Sequence, residues 1–381
     1  MINKINYLSF YSLNPIDNSA AADTKVKYIT KVLENLGYNV DLISANNGRS
    51  LSMVDGKQIW LSDKIKFVSF KALPYGNLFK RFIRRKFNEW QLKKYLKNNL
   101  TSKDIIIIYH SLYYYKLYKW IKRKTGAKII LEVEEIYSDV GKTRFVTRKK
   151  EVKSFSYANA YILPTELLDK QINISNKPSI IIYGTYKKEN KCGQPANDGK
   201  IHIVYAGTFD PRKGGAVAAA AAAEFLNGNY HVHILGFGSE NDKSQLLATI
   251  DKVSNKTDCI VTFDGLKSGD DYIKFIQSCD IGLSTQNPDA AFNGTSFPSK
   301  ILSYMSNGLR VVSVRIPAIE QSAIGKYMYY YDEQTPEKIA DAIISVDMND
   351  DYNGKGILER LNMEFTDNIK QLINGLSNES I

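Results

Sequence analysis

Residues 293–313 read NGTSFPSKILSYMSNGLRVVS: a polar loop runs through Pro298 into a short amphipathic helix, and Gly308 closes the helix before an apolar strand. Proline in a first helical turn forfeits no hydrogen bond, and glycine just past a helix end accepts a left-handed backbone. The loop therefore delivers Thr295, Ser296, Ser299 and Lys300 to a helix N-terminus, where backbone N–H groups carry partial positive charge and suit a phosphate or a sugar hydroxyl. Lys300 in that first turn opposes the helix dipole, a conflict that a bound anion removes.

The same alternation extends outward in both directions. Upstream lie the strand-like runs IHIVYAG (201–207), HVHILG (231–236), CIVTFDG (259–265) and DIGLS (280–284), with helical segments at 214–227, 242–250 and 268–277 between them. The helix 335–347 follows the strand RVVSV (310–314), and the Ala-rich tract 216–225 reads as a tightly packed helix. The first half has the same rhythm: KINYLSF (4–10), a helix over 24–36, NVDLIS (39–44), apolar runs at 58–61 and 66–69, DIIIIY (104–109), KIILEV (128–133), a helix near 147–158, AYILP (160–164) and SIIIY (179–183). Short β-branched runs separated by amphipathic helices indicate βαβ crossovers and parallel sheets. The stretch 184–200 is polar and rich in Gly, Lys and Asn, a linker composition. The chain thus reads as α/β, with a Rossmann-like domain over 1–185, a linker over 186–200, a second Rossmann-like domain over 201–360, and a terminal helix over 361–381 that packs back on the first. Two doubly wound domains are expected to face each other across a cleft, with ligands at the carboxyl ends of the strands.

With 381 residues, 44% apolar and 24% charged, the chain suits a soluble two-domain protein. No apolar run approaches the roughly 20 residues of a spanning helix, and the N-terminus lacks the pattern of a secretory signal. Three widely spaced cysteines, Cys192, Cys259 and Cys279, fit a reducing cytoplasm and argue against a disulfide or zinc framework. The net charge of +11 is concentrated in residues 80–97 and 115–128. In the first of these helices Phe79, Ile83, Phe87 and Trp90 share a face, with Arg81, Arg84 and Arg85 away from it. That pattern is either a docked helix with a solvated basic face or a surface for an anionic leaflet, where each basic residue adds about 1 kcal/mol. No nucleic-acid motif directs the charge, so nucleic acid is not an expected partner.

Candidate site residues cluster at strand ends. The turn AGTFDPRKGG (206–215) offers Gly207 for close backbone approach, with Arg212 and Lys213 to neutralise a diphosphate. Gly236 lies in the next strand-end turn, and Phe263 in a third, where it flanks a base or fills the core. In LEVEEIYSD (131–139), alternation puts Glu132 and Glu134 on one face and Glu135 on the other, and a carboxylate there suits proton abstraction from an acceptor hydroxyl. His110 ends a neighbouring strand, and His202, His231 and His233 read as packing residues. No metal site is expected.

With these residues assembled, the chain resembles the GT-B glycosyltransferases, in particular the family 4 type of bacterial surface-polysaccharide assembly, most clearly over 201–347. AGTFDPRKGG is similar to the family's glycine-then-Lys-Gly turn, and TSFPSKILSYMSNGLRVVS to its donor loop and helix. The resemblance implies a donor site of Gly207, Thr208, Arg212, Lys213, Gly236, Phe263, Thr295, Ser296, Ser299, Lys300 and Ser303, with Lys213 and Lys300 on the diphosphate. It also implies a sugar-nucleotide donor (UDP-linked), no obligatory cofactor or metal, retention of configuration, and a glycan or lipid-linked acceptor at the inner face of the cytoplasmic membrane. Glu134, Glu135 and Lys300 are the catalytic candidates. Two departures stand out: Thr295 and Ser303 occupy positions where the family usually has glutamates, and Thr208 replaces a common arginine. A non-catalytic GT-B-like subunit and a sugar-nucleotide epimerase are the rival readings.

Overall fold

The computed structural model describes residues 2–13, 20–44, 58–71, 73, 76–140, 147–210 and 215–378.

 

The first compact unit comprises Met1–Pro164, Leu168–Thr185 and Glu364–Ile381. Its strands are β1 (Lys4–Ser9), β2 (Asn39–Ser44), β3 (Gln58–Trp60), β4 (Ile65–Val68), β5 (Ile105–Tyr109), β6 (Lys128–Glu132), β7 (Ala160–Leu163) and β8 (Ser179–Ile181). They form one sheet in the order β3-β4-β2-β1-β5-β6-β7-β8, parallel except for the short β3. Helices α1 (Ala20–Asn35), α2 (Leu78–Asn99), α3 (Leu117–Lys124), α4 (Tyr137–Val140), α5 (Arg148–Phe155) and α6 (Glu166–Ile172) make the connections. The run Ile105–Ile108 is wholly buried, as a central parallel strand covered on both faces requires.

The second unit comprises Thr165–Leu167 and Tyr186–Met363. Its strands are β9 (Ile201–Thr208), β10 (Tyr230–Phe237), β11 (Ile260–Gly265), β12 (Ile281–Ser284), β13 (Arg310–Val314) and β14 (Met328–Tyr331). The order is β11-β10-β9-β12-β13-β14, parallel throughout. Helices α7 (Ala216–Ala222), α8 (Glu240–Ser254), α9 (Gly269–Ile276), α10 (Lys300–Asn307), α11 (Pro317–Glu320) and α12 (Pro336–Ile344) belong here, and α13 (Gly354–Asn378) runs from this unit into the first. The Ala-rich tract is a packed helix: Ala216, Ala219, Ala220 and Ala222 are buried, small enough to let α7 lie close on the sheet.

Both sheets reverse their strand order beside the first strand of the unit, at β1/β5 and at β9/β12. A parallel sheet opens a crevice at such a point, outside the carboxyl ends of the strands. The end of α13 belongs to the first unit, where Phe365 lies 5.9 Å from Tyr28 and the Lys128 amino group donates to the Leu376 carbonyl. That helix begins at Gly354, well before the expected 361, because Ile357, Leu358 and Leu361 already supply a buried stripe. Four short elements escaped the sequence pattern: β14, α4, α6 and α11. Pro298 stands two residues before α10 rather than within its first turn, with Ser299 as the capping residue.

The α2 helix reverses one expectation. Arg84 is buried together with Leu92 and Leu96, whereas Leu78, Phe79, Phe82, Ile83 and Trp90 are exposed. The apolar face near its start is therefore not the docked face. Among the described residues no helix is long and apolar enough to cross a membrane.

Candidate functional site

In the second unit, β9 and β12 pair only through Ile281↔Ile203 and Gly282↔Val204, and beyond that register they part. Tyr304 of α10 fills the gap. Its hydroxyl accepts from the Ala206 N–H at 2.9 Å and donates to the Leu283 carbonyl at 3.2 Å, so one side chain ties the helix to both parting strands. Gly282 makes this possible, since a Cβ there would collide with the Tyr304 ring. Lys300 lies one turn before Tyr304, on the same helix face. Its ammonium sits over the Tyr205 ring at 4.3 Å from the centroid. It also lies 3.3 Å from where a Gly207 side chain would begin.

Lys300 is half-buried, and loss of solvation at its amino group pushes its pKa down from 10.5 to about 8. Among the described residues no carboxylate forms an ion pair with it. The Tyr205 hydroxyl donates to the Thr208 carbonyl at 2.8 Å, which holds the turn after β9 and the ring beneath Lys300 as one unit. Gly236 is pressed against Gly207 in the paired register, at φ +139°, and a Cβ there would overlap the Gly207 carbonyl oxygen. Lys300, Gly207, Thr208 and Gly236 thus meet at the strand-order reversal.

The other expected donor residues are placed less uniformly. Thr295 and Ser296 are half-buried, and Ser299 is exposed at the start of α10 without a side-chain capping bond. The Ser303 hydroxyl is 3.2 Å from the Tyr272 hydroxyl of α9. Phe263 packs edge-on against Phe209 at 5.7 Å, with the Lys243 ammonium 5.7 Å over its ring. Arg212 and Lys213 lie outside the described residues. Asn293, which carried no separate signal in the sequence, braces the loop before α10: it accepts from Gln286 at 2.9 Å and donates to the Asn287 and Pro288 carbonyls. Gly215 approaches Thr285 so closely that any side chain would strike it, and Thr285 donates to the Gly215 carbonyl at 3.0 Å.

In the first unit the acidic cluster lies at the carboxyl end of β6. Glu132 is fully buried and accepts from the Tyr7 hydroxyl, while its Oε1 has no hydrogen-bond partner. Burial pushes its pKa up to about 7, with the charge of Lys25 opposing and that of Glu134 reinforcing the rise. Lys25, itself buried, pairs with the half-buried Glu134 and reaches the Ile182 carbonyl at 3.3 Å. Lys25 thus pairs with Glu134, and its charge also acts on Glu132. Glu135 is half-buried near Tyr137 and raises that phenol's pKa, after burial. Glu132 is the group that sequence reasoning undervalued: its position as the last residue of a buried strand was the signal.

His110 closes a separate network. Its Nδ1 accepts from Tyr118 at 2.7 Å and its Nε2–H donates to Glu151 at 2.9 Å. Burial lowers the His110 pKa against the pull of Glu151. Glu151 also accepts from the Tyr137 and Ser138 N–H groups and the Ser138 hydroxyl. Both ring nitrogens of His110 thus find partners inside the fold. The other three histidines do more than pack: His202, His231 and His233 come together on one sheet face, with ligand atoms within 4.8 Å of one another. Burial, then repulsion from His233 and His202, pushes the His231 pKa down to about 4.

Residues 200–348 match the model of the family described as Glycosyl transferases group 1. No curated protein matches the chain. Among solved structures, one described as trehalose-6-phosphate from E. coli bound with UDP-2-fluoro glucose aligns over 98% of this chain and 99% of its own, at 11% identity and a TM-score of 0.71. Sucrose-phosphate synthase from Thermosynechococcus elongatus aligns over 99% and 100%, at 15% identity and 0.70. A UDP-forming trehalose-phosphate synthase from Burkholderia xenovorans aligns over 99% and 100%, at 10% identity and 0.68. At these identities the likeness is one of fold, and the fold is GT-B.

Proposed function

We propose that the protein is a glycosyltransferase that moves a hexosyl group from a nucleoside-diphosphate sugar, a UDP-sugar, to a glycan or lipid-linked glycan in bacterial surface-polysaccharide synthesis, with retention of configuration. The observation that carries this reading is Lys300: a desolvated ammonium without a carboxylate partner among the described residues, held over Tyr205 beside Gly207. A diphosphate placed there supplies the missing counter-charge. The cation then stabilises the negative charge that develops on the leaving diphosphate as the glycosidic bond breaks. Thr208, Thr295, Ser296, Ser299 and Ser303 offer hydroxyls to sugar and ribose, Gly207 and Gly236 let the backbone approach, Phe263 flanks the base, and Arg212 and Lys213 extend the positive charge. The match of residues 200–348 to the glycosyl transferase family supports a donor site in this unit. No cofactor is needed for this chemistry.

On the acceptor side we assign Glu134, steadied by Lys25, to hold an acceptor hydroxyl, with Glu135 beside it. Glu132 acts behind them through Lys25. The α2 helix supports a peripheral position on the inner face of the cytoplasmic membrane: Leu78, Phe79, Phe82 and Ile83 are exposed among Lys80, Arg81, Arg85 and Lys86. A groove of about 490 Å³ beside them is lined by Lys86, Lys93, Lys94, Lys97, Trp90, Trp120 and Glu89, a composition that suits an anionic headgroup.

Calorimetric titration with UDP, GDP, ADP and CMP tests the donor assignment. Selective UDP binding that is lost in Lys213→Ala and Lys300→Ala is expected, together with at least a tenfold fall in turnover for Lys300→Ala. A folded chain that binds none of the four nucleotides favours the non-catalytic subunit reading, to which the hydroxyls at 295 and 303 in place of carboxylates also point.

A further inference from the structure

The three-histidine cluster lies on one face of the second sheet, at the opposite end of the strands from Lys300. His231 pairs in register with His202, and His233 with Thr262. Paired positions in a parallel sheet share a face, as do residues two apart, so His202, His231, His233, Thr262 and Asp264 project together. From His202 to Gly207 is five residues along β9, about 16 Å.

The hydrogen bonds assign the ring protons. His202 Nε2 is 2.9 Å from Asp198 Oδ1, and His233 Nδ1 is 3.1 Å from Asp264 Oδ2. A carboxylate only accepts, so those two nitrogens carry the protons. Thr262 gives its own hydroxyl proton to Asp264 at 2.8 Å and therefore accepts from His231 Nε2 at 3.1 Å. With both rings neutral, the remaining nitrogens of His202 and His233, which face each other at 2.9 Å, each present a lone pair to the other. Both imidazoles are largely buried, so water does not separate them. A cation between the two lone pairs removes the repulsion.

We propose that His202 Nδ1, His233 Nε2 and His231 Nδ1 form a binding site for a divalent transition-metal ion of the imidazole-preferring class, with Zn²⁺ as the expected occupant and water as its fourth ligand. Zinc binds imidazole at about 2.0–2.1 Å, which puts two ligand nitrogens about 3.3 Å apart in a tetrahedral site, so the 2.9 Å gap needs to open by only about 0.4 Å. His231 stacks on His233 at 3.8 Å between centroids and is half-buried, and its ring turns to complete the set. Asp198 and Asp264 already occupy the outer positions that orient metal-bound histidines and raise their basicity. The ion would pin the start of β9 to β10 and to the linker residue Asp198, away from the donor crevice, so its role is structural.

The tag-free full chain should bind one Co²⁺ with the visible absorption of four-coordinate nitrogen-ligated cobalt, and Zn²⁺ should displace it. Zinc should also raise the melting temperature. His202→Asn and His233→Gln, with unchanged circular dichroism, should abolish saturable binding, and Asp264→Asn should weaken it by about 10–100-fold. Failure of the folded wild type to bind either ion overturns the proposal, as does one-to-one binding that survives both histidine substitutions. If either histidine variant misfolds, Asp264→Asn and the zinc-dependent rise in melting temperature decide the matter alone, and an unchanged affinity or melting temperature overturns it.

Discussion

Replacing Lys300 by methionine should make the empty protein more stable and the nucleotide complex weaker. The fall in the Lys300 pKa from 10.5 to about 8 corresponds to about 3 kcal/mol against the charged form in the folded state. Methionine keeps most of the side-chain volume and contact with Tyr205 but carries no charge. Stability at pH 7 should therefore rise by about 1–3 kcal/mol, the lower end allowing for the lost contact of the ammonium with the ring. The sign follows from proton counting: between pH 8 and 10.5 the unfolded chain binds the Lys300 proton and the folded chain does not, so wild-type stability gains with pH in that window. The advantage of the variant should accordingly shrink as pH rises from 8 to 10.5. Denaturant melts at pH 7 and pH 10 measure this directly. The same ammonium is about 90% charged at pH 7 and about 10% at pH 9 in the empty site, so UDP affinity should fall over that range in the wild type. It should be weaker by about 10–100-fold in Lys300→Met at pH 7, the value of one charge-assisted hydrogen bond. A variant that is less stable than wild type at pH 7, or that binds UDP equally well, refutes the reasoning.

Three further substitutions test the local arguments. Gly236→Ala places a Cβ on the Gly207 carbonyl at a positive φ, and should cost at least about 2 kcal/mol of stability by denaturant melt, together with nucleotide binding. Glu132→Gln removes a carboxyl whose folded pKa, about 7, lies above its ordinary 4.5. The wild type therefore loses stability as pH rises from 4.5 through 7, and the variant should flatten that slope in melts at pH 5 and pH 8. Glu151→Ala strips four donors of their buried acceptor and should cost about 3–5 kcal/mol, read as a large drop in melting temperature of the first unit.

The alternation of β-branched runs and amphipathic helices was legible because parallel strands covered on both faces must be continuously apolar, as Ile105–Ile108 are. The short β14, α4, α6 and α11 were not legible, since four to seven residues carry too little periodicity to stand out. Lys300 was readable as a candidate ligand residue from its place at a helix start. Its partner Tyr205 was not, because the contact joins residues 95 positions apart through the packing of α10 on β9. The reach of Tyr304 into the gap between β9 and β12 was hidden for the same reason: a tyrosine inside a helix reads as core, and only the limited pairing of the strands gives its hydroxyl two backbone partners.

The histidines mark where reading one strand at a time fails. Each of His202, His231 and His233 looks like an isolated polar residue in an apolar run, and alternation alone puts His231 and His233 on one face of their own strand. What brings His202 beside them is the register of β10 on β9, and what fixes their protons is the pair Asp198 and Asp264, one in the linker and one on a third strand. A cluster assembled from three strands and a linker leaves no motif at fixed spacing. It is visible only when the sheet order and register are known, and the same holds for the crevice at β9/β12, whose position depends on a strand order that the sequence does not spell out.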